Sequence, residues 1–128
     1  MIKTFTGLIF TVLFLSSCAQ KQIINSTSAT ILIKTPTMKF YDKGFISTFE
    51  NYTQVQIYSA GKTVLDLKFY ENRVCKSTFE CESSKEFNKK YLHSSYKEDF
   101  LKTIFDNNKK ETVFRDKEHN ILIKIKKD

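Results

Sequence analysis

An α+β fold, an antiparallel β-sheet with two short helices packed against it, is the class this sequence predicts for residues 30–128. Three observations carry it. The segments Thr53–Tyr58 and Thr63–Tyr70 alternate apolar and polar residues around a glycine-containing turn, the pattern of a hairpin wetted on one face. Two Ser-x-x-Glu segments, starting at Ser83 and Ser95, each precede apolar residues at helical spacing. A second alternating pair, Glu111–Arg115 and Asn120–Lys126, closes the pattern. The order β-β-β-β, α-α, β-β separates strands from helices, as α+β domains do. A β-sandwich with a helical insertion is the rival arrangement.

Taken in order, Thr30–Lys34 (TILIK) opens the sheet and is stopped by Thr35-Pro36. Met38–Tyr41 is a short apolar run that Asp42-Lys43-Gly44 closes as a turn. Gly44–Phe49 then forms a further strand or a loop capping the core. In the hairpin, Val55 and Ile57 share one face, and Leu65, Leu67 and Phe69 point inward while Asp66 and Lys68 point out. Gly61 suits the positive φ of a tight hairpin turn. Arg73–Cys75 is a short strand. Ser83 and Ser95 read as helix caps, with Phe87, Tyr91 and Leu92 on the first helix and Phe100, Leu101, Ile104 and Phe105 on the second. Asn107-Asn108 ends the second helix. The last strand, bearing Lys124, Lys126 and Lys127, reads as a sheet edge guarded by lysine, or as an electrostatic patch.

The N-terminal segment has a different character. Lys3 precedes the apolar run LIFTVLFL (residues 8–15), which is shorter than the roughly 20 residues a membrane span needs but matches the core of a secretory signal. It ends in Leu15-Ser16-Ser17-Cys18, which resembles the lipobox of bacterial lipoproteins. That resemblance implies cleavage between Ser17 and Cys18 and lipid chains on the Cys18 thiol and the new amino group. At about 0.8 kcal/mol per buried CH₂, two or three chains hold far more firmly than one. Residues 1–17 are then a signal peptide, residues 18–29 (polar QKQIINSTSA after Cys18-Ala19) a lipidated tether, and residues 30–128 one globular domain. With Ala19 and Gln20 rather than Asp after the cysteine, the outer membrane is the expected address, the domain facing the periplasm or the cell surface.

Removing the signal takes away only Lys3 among the charges and leaves a formal +6 on 111 residues, enough for a single core. Nucleic acid is not expected as a partner for an exported, lipid-anchored chain. Anionic lipid, acidic glycan or an envelope protein suits the excess of lysine, which also fits a plain solvated surface. In an oxidising compartment Cys75 and Cys81, with five residues between them, are expected to form a disulfide. Free thiols, redox chemistry and metal binding are the alternatives, though C-x-x-C spacing is absent and the only histidines, His93 and His119, do not lie at finger-like spacing from the cysteines.

Catalytic constellations are not evident. The sequence has no G-x-S-x-G elbow, and its glycines, Gly7, Gly44 and Gly61, make no phosphate cradle. Glu98 and Asp99 are neighbours on a helix and point apart. No cofactor, metal site or catalytic residue is assigned. Most aromatics fit core stripes, while Tyr41, Tyr58 and Tyr70 fall on faces where tyrosine serves either edge packing or recognition.

The stretches Val55–Gly61 (VQIYSAG) and Lys85–Tyr91 (KEFNKKY), with the cysteine pair between them, resemble a group of small uncharacterised lipoproteins of Campylobacter- and Helicobacter-type bacteria. The resemblance covers most of residues 30–108 and implies an outer-membrane lipoprotein, with no catalytic residues. The expectation is a non-enzymatic binding or envelope-assembly module. A small envelope hydrolase or thiol-redox protein, built on His93 or on the cysteine pair in a cleft, is one alternative, and a surface adhesin is another.

Overall fold

A computed structural model describes residues 23–76 and 80–128. The signal segment, the Cys18 lipobox and Phe79 lie outside the described residues. The elements run β1 (Ile23–Lys34), β2 (Lys39–Phe49), β3 (Thr53–Ser59), β4 (Lys62–Phe69), β5 (Arg73–Cys75), β6 (Cys81–Ser83), α1 (Ser84–Tyr91), α2 (Phe100–Phe105), β7 (Glu111–Asp116) and β8 (Ile121–Lys127). The strands form one antiparallel sheet of order β6-β5-β4-β3-β2-β1-β8-β7. A sheet-dominated α+β chain is therefore what the sequence builds, and its strands do not divide into the two sheets of a sandwich.

Alternation decides which face is buried. Ala29, Ile31 and Ile33 of β1 point the same way as Val55, Ile57, Leu67 and Phe69, and as Ile121, Ile123 and Ile125 of β8, and all are nearly inaccessible. The two helices lay Phe87, Leu101 and Phe105 onto this face. The Phe69 ring stacks on Phe105 at 5.7 Å and meets Phe87 edge-on at 6.3 Å, so one strand residue ties both helices down. The hairpin forms as its alternation requires, with Ala60 and Gly61 both at positive φ (51° and 77°) in a two-residue turn.

Four expectations are corrected. The chain does not turn at Asp42–Gly44; β2 runs straight through it. Glycine is needed there because a Cβ on Gly44 would lie 2.1 Å from the Gln56 carbonyl oxygen, so it marks a close strand approach and not a turn. The tether expected over residues 18–29 overlaps β1, which is already paired to β2 at Ile23 and again from Asn25 onward. Polar residues there are tolerated because the first positions of β1 are exposed. The last strand is not an edge: β8 lies between β1 and β7, and β6 and β7 are the outer strands. Finally, Ser83 caps α1 by accepting the Glu86 amide at 3.1 Å, but Ser95 caps nothing, since α2 begins at Phe100 after Asp99. The Ser95 hydroxyl instead bonds the His93 ring.

Replacing Phe69 by Ala removes the ring shared by both helices and lowers stability by about 3–5 kcal/mol in urea unfolding. Tyr41→Ala, on the exposed side of β2, shifts the same midpoint by less than about 0.5 kcal/mol. Gly44→Ala is destabilising although alanine suits strands better, because β2 and β3 must part to admit the methyl group.

Candidate functional site

The helices do not cover the whole buried face. Near the start of β2, Met38 and Phe40 face Leu65 and Leu67 of β4 and Phe87 and Tyr91 of α1 across a largely apolar cavity of about 480 Å³. It exists because the first half of β2 runs beyond its pairing with β3, which begins at Gly44, and because β5 pairs only Lys68 and Phe69 of β4. Lys39 and Lys76 also line it, with Asp66 as the acid. Asp66 is engaged by the Gln54 amide at 2.9 Å, and Lys76 Nζ donates to the Tyr91 hydroxyl at 2.5 Å while lying 4.9 Å above its ring. An apolar chamber with two cations at its walls has the size and composition of a small-molecule site.

The opposite face of the sheet is open. Tyr41 is 68% exposed and Phe45, 45% exposed, meets Tyr58 edge-on at 5.8 Å. Register places Lys34, Lys43, Lys124 and Lys126 on this side, with Lys43 paired to Asp128 at 3.0 Å. Tyr41 and Tyr58 thus lie on the open face. Tyr70 does not: it packs on Tyr52 at 5.0 Å beneath the Arg73 guanidinium at 4.2 Å. Lys127 leaves this face as well and donates to the Asn107 carbonyl.

In the sequence the two histidines are 26 positions apart and nothing local relates them. The fold stacks them, with ring centroids 3.8 Å apart and planes inclined by 29°. His93 follows α1, and His119 sits in the β7–β8 turn, which Asn120 closes at φ 57°. His93 Nδ1 lies 2.8 Å from the Ser95 hydroxyl, and His119 Nδ1 lies 2.7 Å from Asp116 Oδ2. Tyr96 donates its hydroxyl to the same Asp116 oxygen. Ligand atoms of Asp116, Glu118 and His119 fall within 4.8 Å of one another. Hydrogen bonds from Tyr96 first and then His119 hold the Asp116 carboxyl down at about 2, while burial and the same bond push the Tyr96 phenol above its ordinary range. The carboxylate's stabilising contribution is therefore complete above the usual Asp pKa near 3.9 and is lost only as the pH falls toward 2. No local pattern could have joined these histidines, because their contact depends on where β7 and β8 dock.

Cys75 and Cys81 are joined, 4.0 Å apart at Cα, across the paired strands β5 and β6. Cys75 is buried and Cys81 exposed, and the bond joins directly paired residues of the two strands. Among the described residues no helix is long and apolar enough to cross a membrane. Comparison with protein-family models, with curated proteins and with solved structures finds no match.

Removing the bond by Cys75→Ala with Cys81→Ala costs about 2 kcal/mol in unfolding free energy, the entropy of so small a ring, and leaves the far-ultraviolet spectrum nearly unchanged because the β3–β4 hairpin and the β1–β8 pairing lie away from it.

Proposed function

We propose that this chain is a bacterial envelope lipoprotein, anchored through Cys18, whose domain binds an anionic amphiphile: a molecule with a hydrocarbon portion and an acidic head. The observation that carries the binding role is the 480 Å³ apolar cavity flanked by Lys39 and Lys76. Burying hydrocarbon there yields roughly 25 cal/mol per Å², and the two ammonium groups select an acidic head over a neutral one. The Leu15-Ser16-Ser17-Cys18 motif supports the anchor and an outer-membrane address.

A non-catalytic role is supported by how the polar groups pair. Acyl-transfer chemistry needs one imidazole between a nucleophile and an orienting carboxylate. Here the Ser95 hydroxyl meets His93, whereas Asp116 meets His119, so the three functions are divided between two rings. The cysteine pair, closed within the sheet and buried at Cys75, is structural on this reading.

Titration with a fluorescent twelve-carbon fatty acid tests the binding role. Lys39→Glu combined with Lys76→Glu weakens binding at least tenfold, and the same-length fatty alcohol binds the unaltered protein as weakly as that variant binds the acid. Leu65→Asp, which sets a negative charge in the cavity wall, abolishes binding. Equal affinity for acid and alcohol in both proteins defeats the proposal. For the anchor, mass spectrometry of the native product finds an N-terminus at residue 18 carrying diacylglyceryl and acyl mass. An intact leader or an unmodified thiol there rules the anchor out.

A further inference from the structure

We propose that the open face of the sheet, at the end where β1 finishes, binds an acidic glycan: a chain of sugar rings carrying carboxylates. Lys34, Lys124, Arg115 and Lys117 hold the charges, and Tyr41 is the platform for a ring. The site lies on the face opposite the amphiphile cavity and requires neither that cavity nor the lipid anchor.

Strand register gathers the cations. Arg115, Leu122, Lys34 and Lys39 stand abreast on the neighbouring strands β7, β8, β1 and β2. Val113, Lys124, Leu32 and Tyr41 form the next row on the same face. Neither row contains an acid. Lys34 faces another lysine, Lys39, and like charges directly opposite are destabilising, a repulsion that a bound anion relieves. The following row is different: Lys126 faces Glu111, and Lys43 is paired with Asp128 at 3.0 Å. Among the described residues Lys34, Lys124, Arg115 and Lys117 form no ion pair. The uncompensated charge is therefore confined to one end of the face.

Spacing and shape indicate the ligand. Arg115 and Lys34 are two strands apart, roughly 10 Å, and Lys124 is a diagonal neighbour of Lys34 at about 7–8 Å. Charges at such intervals match a chain with repeated anionic groups better than one small anion. At the β7–β8 turn the row ends in a depression of about 320 Å³, lined by Lys34, Arg115, Lys117 and Asn120 among others. It seats one carboxylate among three cations, with the Asn120 amide beside it for sugar hydroxyls. Asp116 also borders the depression, but its oxygens are engaged: Oδ2 by the Tyr96 and His119 side chains, Oδ1 by the His119 amide at 3.2 Å. Tyr41, 68% exposed, offers a ring against which the C–H side of a sugar packs. A bilayer suits this face less. Leu32 and Leu122 are part-buried between longer cationic side chains, so they lie below the charges and have little surface to bury in lipid.

The test is fluorescence anisotropy of a labelled oligogalacturonate titrated with the full chain in neutral detergent. The probe binds in about 0.1 M salt and is released in about 1 M, where screening confines charge interactions to roughly 3 Å. Lys34→Gln with Lys124→Gln weakens binding at least tenfold, and Arg115→Gln and Tyr41→Ala each weaken it several-fold. Lys85→Gln with Lys89→Gln, an equal loss of charge on α1, leaves it unchanged. Far-ultraviolet spectra establish that the variants fold, and methyl esterification of the probe abolishes binding without recourse to any variant. Equal affinity for the esterified probe overturns the proposal, as does an equal loss in the α1 variant. Displacement of the probe by the fatty acid that fills the cavity overturns it too, by placing the glycan there. Displacement by equimolar phosphatidylglycerol added to the micelles assigns the face to lipid headgroups instead and likewise overturns it.

Discussion

The pairing of β1 with β8 is the contact on which the rest of the molecule hangs. Ile31 stands opposite Ile125 and Ile33 opposite Ile123, so residues ninety or more positions apart form one buried apolar band. A closure that long is entropically unfavourable, but the loss grows only logarithmically with loop length, while each isoleucine buried contributes on the order of 1.5–3 kcal/mol. Once β8 is seated, β7 has a partner, and the turn between them is carried to a fixed position. Asp116 ends β7 and His119 is in that turn. Their meeting with His93 is thus a consequence of side chains on the opposite end of the chain from α1.

How much of this was readable in the sequence depends on whether the information is local. The β3–β4 hairpin was legible because alternation at period two and Gly61 act within a dozen residues. The cap at Ser83 was legible for the same reason. Ser95 carries the same Ser-x-x-Glu signature and misleads, since its neighbours are already claimed: Tyr96 by Asp116, Lys97 by the Asn88 side chain, which donates to its carbonyl at 2.8 Å. Tertiary bonds hold residues 93–98 out of a helix that local propensity favours. Gly44 misled in a similar manner. Turn and close approach both select glycine, and only the position of Gln56 on the adjacent strand tells them apart. The lysines of β8 looked like edge protection because nothing near them in sequence reveals a partner on each side. The cavity and the histidine stack, both built from segments distant along the chain, were invisible altogether.

The direction of the strands relates the candidate sites to one another. β1 starts at Ile23 opposite Phe49 and ends at Lys34, which is paired with Lys39 and with Leu122. The cavity begins at Met38–Phe40, and the histidine turn precedes Ile121, so both belong to the end of the sheet where β1 finishes. At about 3.3 Å per residue, the twelve residues of β1 separate that end from Ile23 by roughly 36 Å. Five residue steps from the proposed lipid at Cys18 to Ile23 span no more than about 18 Å. An anchor there, if it is the one the lipobox implies, holds the start of β1 near the bilayer and turns the cavity away from it. Under the anchoring and binding proposed above, an amphiphile would reach the cavity from the aqueous space or a facing surface. The exposed cations on the open face, Lys34, Lys43, Lys124 and Lys126, stand level with residues 30–34 of β1, so they gather at the same end of the sheet as the cavity, on its opposite face.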